Sequence, residues 1–313
     1  MKSFFTTVFI TLFAITGVIA QSDKDSKKTE KITAEELLAK HVASIGTPEA
    51  LAAARTRVIV GEGGVRALKG YSGSLVGPVQ LASDSERMLF VMLFNSNEYP
   101  YEKAAFDGKN ASVASPNGTR TALSEFLKTK DSILEEGLFT GALSARWPLL
   151  NANPKKSRVE YSGTTKFGDR VFHKLKYSPR GASLRVSLFF ETDTFRHVMT
   201  EYQYTVDVSI GVSSTDIQSM KDYYTLTEQF SDFKKVGDLT LPFNYTIALD
   251  VQKNSSSNLS TRVIPGGVQP GGIRTDSVSV PSLAPGTGSL QFTLKLGQVF
   301  FNEQLEPSVF KVS

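Results

Sequence analysis

The stretch from Gly168 to Val206, GDRVFHKLKYSPRGASLRVSLFFETDTFRHVMTEYQYTV, constrains the fold more than any other, because successive antiparallel strands can be read from it with their faces assigned. Val171, His173, Leu175 and Tyr177 fall on one face, with Phe172, Lys174 and Lys176 on the other. Ser178-Pro179-Arg180-Gly181 supplies turn chemistry, after which Val186, Leu188 and Phe190 alternate with Arg185, Ser187 and Phe189. Thr192-Asp193-Thr194 makes a second turn, and Phe195, His197 and Met199 resume the alternation. A meander of this kind predicts a curved antiparallel sheet with one oily face.

The same rhythm recurs along the chain. Strands are expected over Arg57 to Glu62, Val65 to Leu75, Val79 to Ala82 and Arg87 to Phe94. In the last run, RMLFVMLF, Met88, Phe90, Met92 and Phe94 share one face while Leu89, Val91 and Leu93 share the other, so both faces must be covered. Short strands at Tyr101 to Phe106 and Asn110 to Ala114 flank the turn Asp107-Gly108. Others fall at Arg158 to Ser162, Tyr223 to Lys234, Phe243 to Leu249 and Leu290 to Leu296. Gly61-Glu62-Gly63-Gly64 reads as a bend or bulge; it lacks the spacing of a phosphate-binding loop, and a strand rather than a helix follows it.

Two regions break the strand rhythm. Thr33 caps a helix with Glu36 at the reciprocal capping-box position, Leu37, Leu38, Val42 and Ile45 form its apolar stripe, and Thr47-Pro48 opens a second short helix through Ala54. From Thr121 to Leu150 the spacing is helical again, at Leu123, Phe126 and Leu127 and at Ile133, Leu134, Leu138 and Phe139, cut by Gly137 and Gly141 and stopped at Trp147-Pro148. Both are expected to cover the sheet. Ile264 to Ser289 is too rich in proline and glycine for a core element and reads as a surface excursion or a lid.

Residues 1–20 read as a secretory signal peptide: Lys2 starts it, Phe4 to Val18 is its apolar run, and cleavage is expected before Gln21. Residues 21–31 are polar and charged, a disordered leader, and 32–313 are expected to form one domain. The chain has no cysteine, so disulfides, thiolate ligands and a lipoprotein anchor are excluded. Lys plus Arg total 35 against 31 acidic residues with no large basic cluster, which argues against a nucleic-acid partner. A periplasmic or secreted protein without stable membrane insertion follows from these features.

Catalytic chemistry finds no motif here. There is no nucleophile elbow, no zinc-protease helix signature and no acidic calcium loop. Of the 3 histidines, His41 reads as a surface or boundary residue of the first helix. His173 and His197 fall on strands that could be neighbours, but a metal would need a third ligand, with Glu191 or Asp193 reaching in from a turn. The carboxylate pairs Glu35-Glu36 and Glu135-Glu136 read as solvated helix faces. Asn-x-Ser/Thr triplets at Asn110, Asn117, Asn244, Asn254 and Asn258 would be glycosylation acceptors in a eukaryotic secreted chain. No catalytic residue, cofactor or metal is assigned.

Several segments carry a family resemblance. ITAEELLAKHVASIGTPEALAAA running into TRVIVGEG looks like the start of exported proteins of the LolA/LolB-like superfamily, the outer-membrane lipoprotein carriers and their relatives. FFETDTFRHVMTEY resembles their strand-turn-strand hairpin, FSDFKKVGDLTLPFNYTI their following strand pair, and VFFNEQLEPSVFKV their closing strand. The resemblance implies a mainly β (α+β) fold, an unclosed antiparallel β-barrel covered by helices on its concave side. It also implies a non-catalytic carrier holding a lipid, acyl chain or acylated protein in a concave apolar cavity, in lipoprotein trafficking or outer-membrane biogenesis. The carriers' lid-contacting arginine cannot be placed on any one residue from the sequence. The candidate lining is Met88, Phe90, Met92, Phe94, Val186, Leu188 and Phe190, residues that ordinary core packing would also explain. The alternative is a structural or protein-interaction module of the cell envelope without a small ligand.

Overall fold

The computed structural model describes residues 32–69, 73–150, 159–180, 183–210, 218–254 and 287–312. The signal and leader segments, most of the Pro/Gly-rich excursion and Asn258 lie outside the described residues. Helix α1 (Ala34–Ile45) starts as its sequence requires: Thr33 accepts from the Glu36 amide while Glu36 accepts from the Thr33 amide. Helix α2 (Pro48–Ala53) follows, capped by Thr47.

Among the described residues twelve strands then form one antiparallel sheet: β1 (Arg57–Lys69), β2 (Ser74–Ser83), β3 (Met88–Leu93), β4 (Tyr101–Phe106), β5 (Ala111–Val113), β6 (Val159–Phe167), β7 (Arg170–Tyr177), β8 (Arg185–Glu191), β9 (His197–Ile210), β10 (Gln218–Val236), β11 (Leu239–Gln252) and β12 (Gly288–Phe301). The spatial order is β5-β4-β3-β2-β1-β12-β11-β10-β9-β8-β7-β6. The first and last strands therefore pair in the middle of the sheet, β5 and β6 are its free edges, and the barrel is not closed.

Between those edges the chain leaves the sheet as a strap, Thr121–Leu150, containing α3 (Ala122–Thr129), α4 (Ser132–Glu135) and a tight helical turn at Gly141–Leu143. Leu123, Phe126, Ile133, Leu134, Leu138 and Phe139 of the strap are buried, as their spacing predicts. Phe90 on the inner face of β3 meets Phe139 edge-on at 5.3 Å. The opposite face of β3 is covered by the C-terminal segment: Leu89, Ala82, Ala105 and Phe310 form a second small core, with Val58, Val91, Leu305 and Val309 against it. The two-sided apolar pattern of RMLFVMLF is thus met by a strap on one side and a tail on the other.

Three local expectations are corrected. The strand read as Val65 to Leu75 is two: β1 runs through the glycine run to Lys69 and β2 begins at Ser74. The glycine run carries the bulge expected of it, the register against β12 shifting between Val60 and Gly61, but the strand continues through it. A Cβ on Gly61 would lie 2.2 Å from the Lys295 carbonyl, and one on Gly77 1.8 Å from the Leu93 carbonyl, so neighbouring backbones occupy the space of a side chain. Second, Phe195, His197 and Met199 do not share a face. A bulge opposite Phe189 and Phe190 turns His197 inward and Met199 outward, and Thr200, Tyr202 and Tyr204 then carry the buried face. Phe195 itself is in the turn, with φ 57°. Third, the loop expected to reach Ser289 stops sooner, because β12 already begins at Gly288.

Candidate functional site: a polar-clasped strap over the inner face

Strand alternation places Arg57 and Ile59 of β1, Ser83 of β2, Glu102 of β4, Tyr202 of β9, Glu228 of β10 and Tyr245 of β11 on the inner side, among apolar neighbours. Buried polar groups require partners, and here those partners lie largely on the strap. Arg57 Nη1 donates to the carbonyls of Ala142 at 2.6 Å and Ser144 at 3.4 Å. The Ala145 amide donates to Ser83 Oγ at 2.9 Å. Ser124 Oγ donates to Glu102 Oε2 at 3.1 Å, and the Tyr99 hydroxyl donates to the same carboxyl group.

Glu228 is fully buried and is the most highly connected of these groups. It accepts from the Thr140 amide at 2.8 Å and lies 2.6 Å from the Tyr202 hydroxyl, and the Tyr245 hydroxyl donates to it as well. The Tyr202 hydroxyl is also 3.1 Å from the Leu138 carbonyl. A phenol has one proton to donate, so both contacts are satisfied together only when Glu228 is protonated and donates to Tyr202, which then donates to Leu138. Burial works in the same direction: it raises Glu228 to about 7, against the lowering effect of its hydrogen bonds. Glu102 is raised to about 7 for the same reason.

The histidines are placed differently from their sequence reading. His41 is not a boundary residue: it is 1% exposed, because α1 turns this side onto the inner face. Trp147 Nε1 of the strap donates to His41 Nε2 at 3.2 Å, so the other ring nitrogen carries the proton and donates to the Phe195 carbonyl at 3.2 Å. Burial lowers His41 to about 4. His197 stacks on Trp147 at 5.0 Å and is held well below its ordinary value by burial and then by His41. His173 and His197 are not on neighbouring strands. Both stand opposite Phe190 of the intervening β8, which puts two strand spacings, about 10 Å, between them. Among the described residues no group of three or more His, Asp or Glu could hold a metal ion.

The seven candidate lining residues are all buried. Met88, Phe90 and Met92 lie on the inner face of β3, Phe94 stacks on Tyr99 at 5.2 Å, and Val186, Leu188 and Phe190 lie on the inner face of β8, with Phe190 4.9 Å from the His41 ring. Two outward grooves have volumes of ≈ 540 Å³, around Glu62, Gly64, Val76 and Lys295, and ≈ 640 Å³, around Phe167, Phe172, Phe189 and Phe233. Neither is lined by any of the seven. Sequence reasoning missed Arg57, Glu102, Glu228 and the role of Trp147. The available signal was a polar residue at an inward position of an alternating strand, such as Glu228 between Leu226 and Phe230.

Among solved structures the chain is similar to a LolA-superfamily protein from Nitrosomonas europaea, at 12% identity and a TM-score of 0.42, covering 90% of this chain and 98% of that one. It is also similar to an outer-membrane lipoprotein-sorting protein domain from Vibrio parahaemolyticus, at 12% identity and a TM-score of 0.38 over 87% and 97% of the two chains. A DUF1329 family protein from Desulfovibrio piger has 8% identity and a TM-score of 0.36 over 88% and 96%. No family model and no curated protein matches the chain. Among the described residues no helix is long and apolar enough to cross a membrane.

Proposed function

We propose that this chain is a non-catalytic binding or carrier protein of the periplasm or the secreted space, exported by residues 1–20. It holds a lipid, an acyl chain or the acyl chains of a protein between the inner face of its sheet and the strap. The observation that carries this reading is the way the strap is attached. It packs Phe139 against Phe90 on the inner face, and it is tied to several different elements by individual hydrogen bonds. Such bonds contribute about 1 kcal/mol each net, because water replaces the partner when they open. A flexible chain entering beneath the strap would gain about 0.8 kcal/mol per buried methylene. Met88 and Met92 adapt to an irregular occupant.

Native mass spectrometry and lipid extraction of protein purified from its own compartment test the proposal. A bound acyl species supports it; a consistently empty protein that also ignores fluorescent fatty acids removes it. A second reading, a structural or protein-interaction module of the envelope, is favoured by the tight contact of Phe90 with Phe139, which fills the inner face with the protein's own side chains. An empty protein that copurifies with an envelope partner would select that reading.

A further inference from the structure

A sheet whose outer side meets water keeps polar side chains there, and across the middle of this one Glu201, Gln203, Thr225, Thr227 and Thr246 do so. One corner departs from that rule. Phe172 of β7, Phe189 of β8, Met199 of β9 and Phe233 of β10 line the outward groove of ≈ 640 Å³. Phe167 at the end of β6 completes it, 47% exposed, edge-on to Phe189 at 5.2 Å and tilted against Phe172 at 5.8 Å. Irregular backbone accompanies these side chains. The register shift between Phe189 and Phe190 leaves Met199 opposite Phe189, and Asp232, the residue before Phe233, holds φ 55°, a strained value for a residue other than glycine. Apolar side chains facing outward beside local departures from strand geometry mark a site rather than a core.

Among the described residues the charges around this groove do not balance. Glu191 pairs with Arg170, whose guanidinium also lies 5.1 Å over the Phe172 ring, and Asp232 pairs with Lys234 at 2.7 Å. Arg196 forms no ion pair among the described residues; its guanidinium rests 5.2 Å over the Phe233 ring. Lys174, likewise without an ion pair, stands 5.3 Å over Phe189. A guanidinium resting on a ring face is held in place while its N–H edge stays open to a carboxylate.

Aromatic rings, methionine and arginine are the side chains enriched at protein interfaces, the aromatics and arginine above all among those that dominate the binding energy. The groove is concave, so a projecting side chain can enter it where a lipid surface cannot, and the uncompensated cations at its wall match an acid beside that side chain. We propose that this groove docks a partner protein through a segment that presents an aromatic side chain next to an aspartate or glutamate. The ring seats on Phe172, Phe189 and Met199, and the carboxylate is held by Arg196. The groove lies on the face of the sheet away from the strap, so the proposal stands whether or not the inner face holds a ligand.

Selection of a random peptide library displayed on phage, with the full mature chain as bait, tests the proposal. Enriched peptides are expected to place an aromatic residue next to Asp or Glu. A synthetic peptide of the enriched sequence should lose at least about tenfold in affinity, about 1.4 kcal/mol, on Arg196→Gln and on Phe167→Ala, measured by fluorescence anisotropy. Arg196→Lys should keep part of the affinity, and added salt should weaken binding to the native protein. A selection that returns no peptide, or peptides without acidic residues, overturns the proposal, and so does full affinity in Arg196→Gln or Phe167→Ala. Phosphatidylglycerol vesicles supply the lipid comparison: a chain that selects no peptide but sediments with them is a membrane-surface protein, and the proposal fails. The composition of the enriched peptides is read on the native protein, so it decides the case even where a variant does not fold.

Discussion

On the inner face of β3, Met88, Phe90 and Met92 lie beneath a strap fastened by buried hydrogen bonds; on its outer face, Leu89 and Val91 lie beneath a C-terminal turn seated by Phe310. Both covers exclude water from the same strand by apolar packing, and the strap adds buried polar clasps to it. The tail's hold scales with apolar area and has no alternative partner in water. The strap's clasps, Arg57 on Ala142, Thr140 on Glu228 and Trp147 on His41, can all be exchanged for water or a ligand group. The strap buries Leu123, Phe126, Ile133, Leu134, Leu138 and Phe139 as well, so what distinguishes it from the tail is the set of buried polar clasps added to its apolar packing.

The comparison can be broken most directly at Phe310. Phe310→Ala should lower global stability by about 3–5 kcal/mol in urea denaturation, with the strap and β3 losing protection together. A loss below about 1 kcal/mol would show that the tail is not core.

Glu228→Gln sharpens the other side. Glu228 has a folded value raised to about 7, so its contribution is full below the ordinary carboxyl range and is lost as pH rises through about 7. His41, lowered to about 4, contributes fully above its ordinary value of 6.5, and that contribution is lost as pH falls through about 4. Between pH 4.5 and 6.5 the two slopes oppose each other. Removing the carboxyl group should unmask the histidine slope, so that stability of Glu228→Gln rises with pH over this window by a few kcal/mol more than in the native protein. Parallel pH profiles of denaturation midpoints for the two proteins would contradict the assignment.

Gly141 sits at φ 51°, and a Cβ added there would lie 2.9 Å from Phe230 Cζ and 3.2 Å from His197 Nδ1. Gly141→Ala should cost about 1–3 kcal/mol, seen first as faster hydrogen exchange in the strap. The smallest effect is expected at Trp147→Phe, which keeps an aromatic ring on His197 but leaves His41 Nε2 without its donor. A loss of about 1–2 kcal/mol confined to strap amides agrees with a separable cover. A loss as large and as global as that of Phe310→Ala would show that strap and tail are one cooperative core.

Much of the architecture was legible in advance, because strand alternation and capping are local. The Thr33/Glu36 box starts α1 where the sequence places it, and the faces of β8 follow the reading of Val186, Leu188 and Phe190. The errors lie where a neighbouring strand intervenes. The bulge before Met199 exists because two residues of β9 oppose one register step of β8, and no pattern within β9 records that. His41 reads as a boundary residue on its helix alone; its burial depends on Trp147 and Phe195, 106 and 154 residues away.

What the sequence by itself determined is the β-rich meander, the two helical segments and the set of bulky residues that share the inner face, since all of these follow from periodicity over a few residues. Only the tertiary structure decided how the inner face is closed. The clasps join Arg57 to residues 142 and 144, Glu228 to 140 and His41 to 147, and a hydrogen bond between distant positions leaves no periodic trace in either partner's neighbourhood. A charged residue at an inward position shows that a partner must exist, and the folded chain alone supplies it.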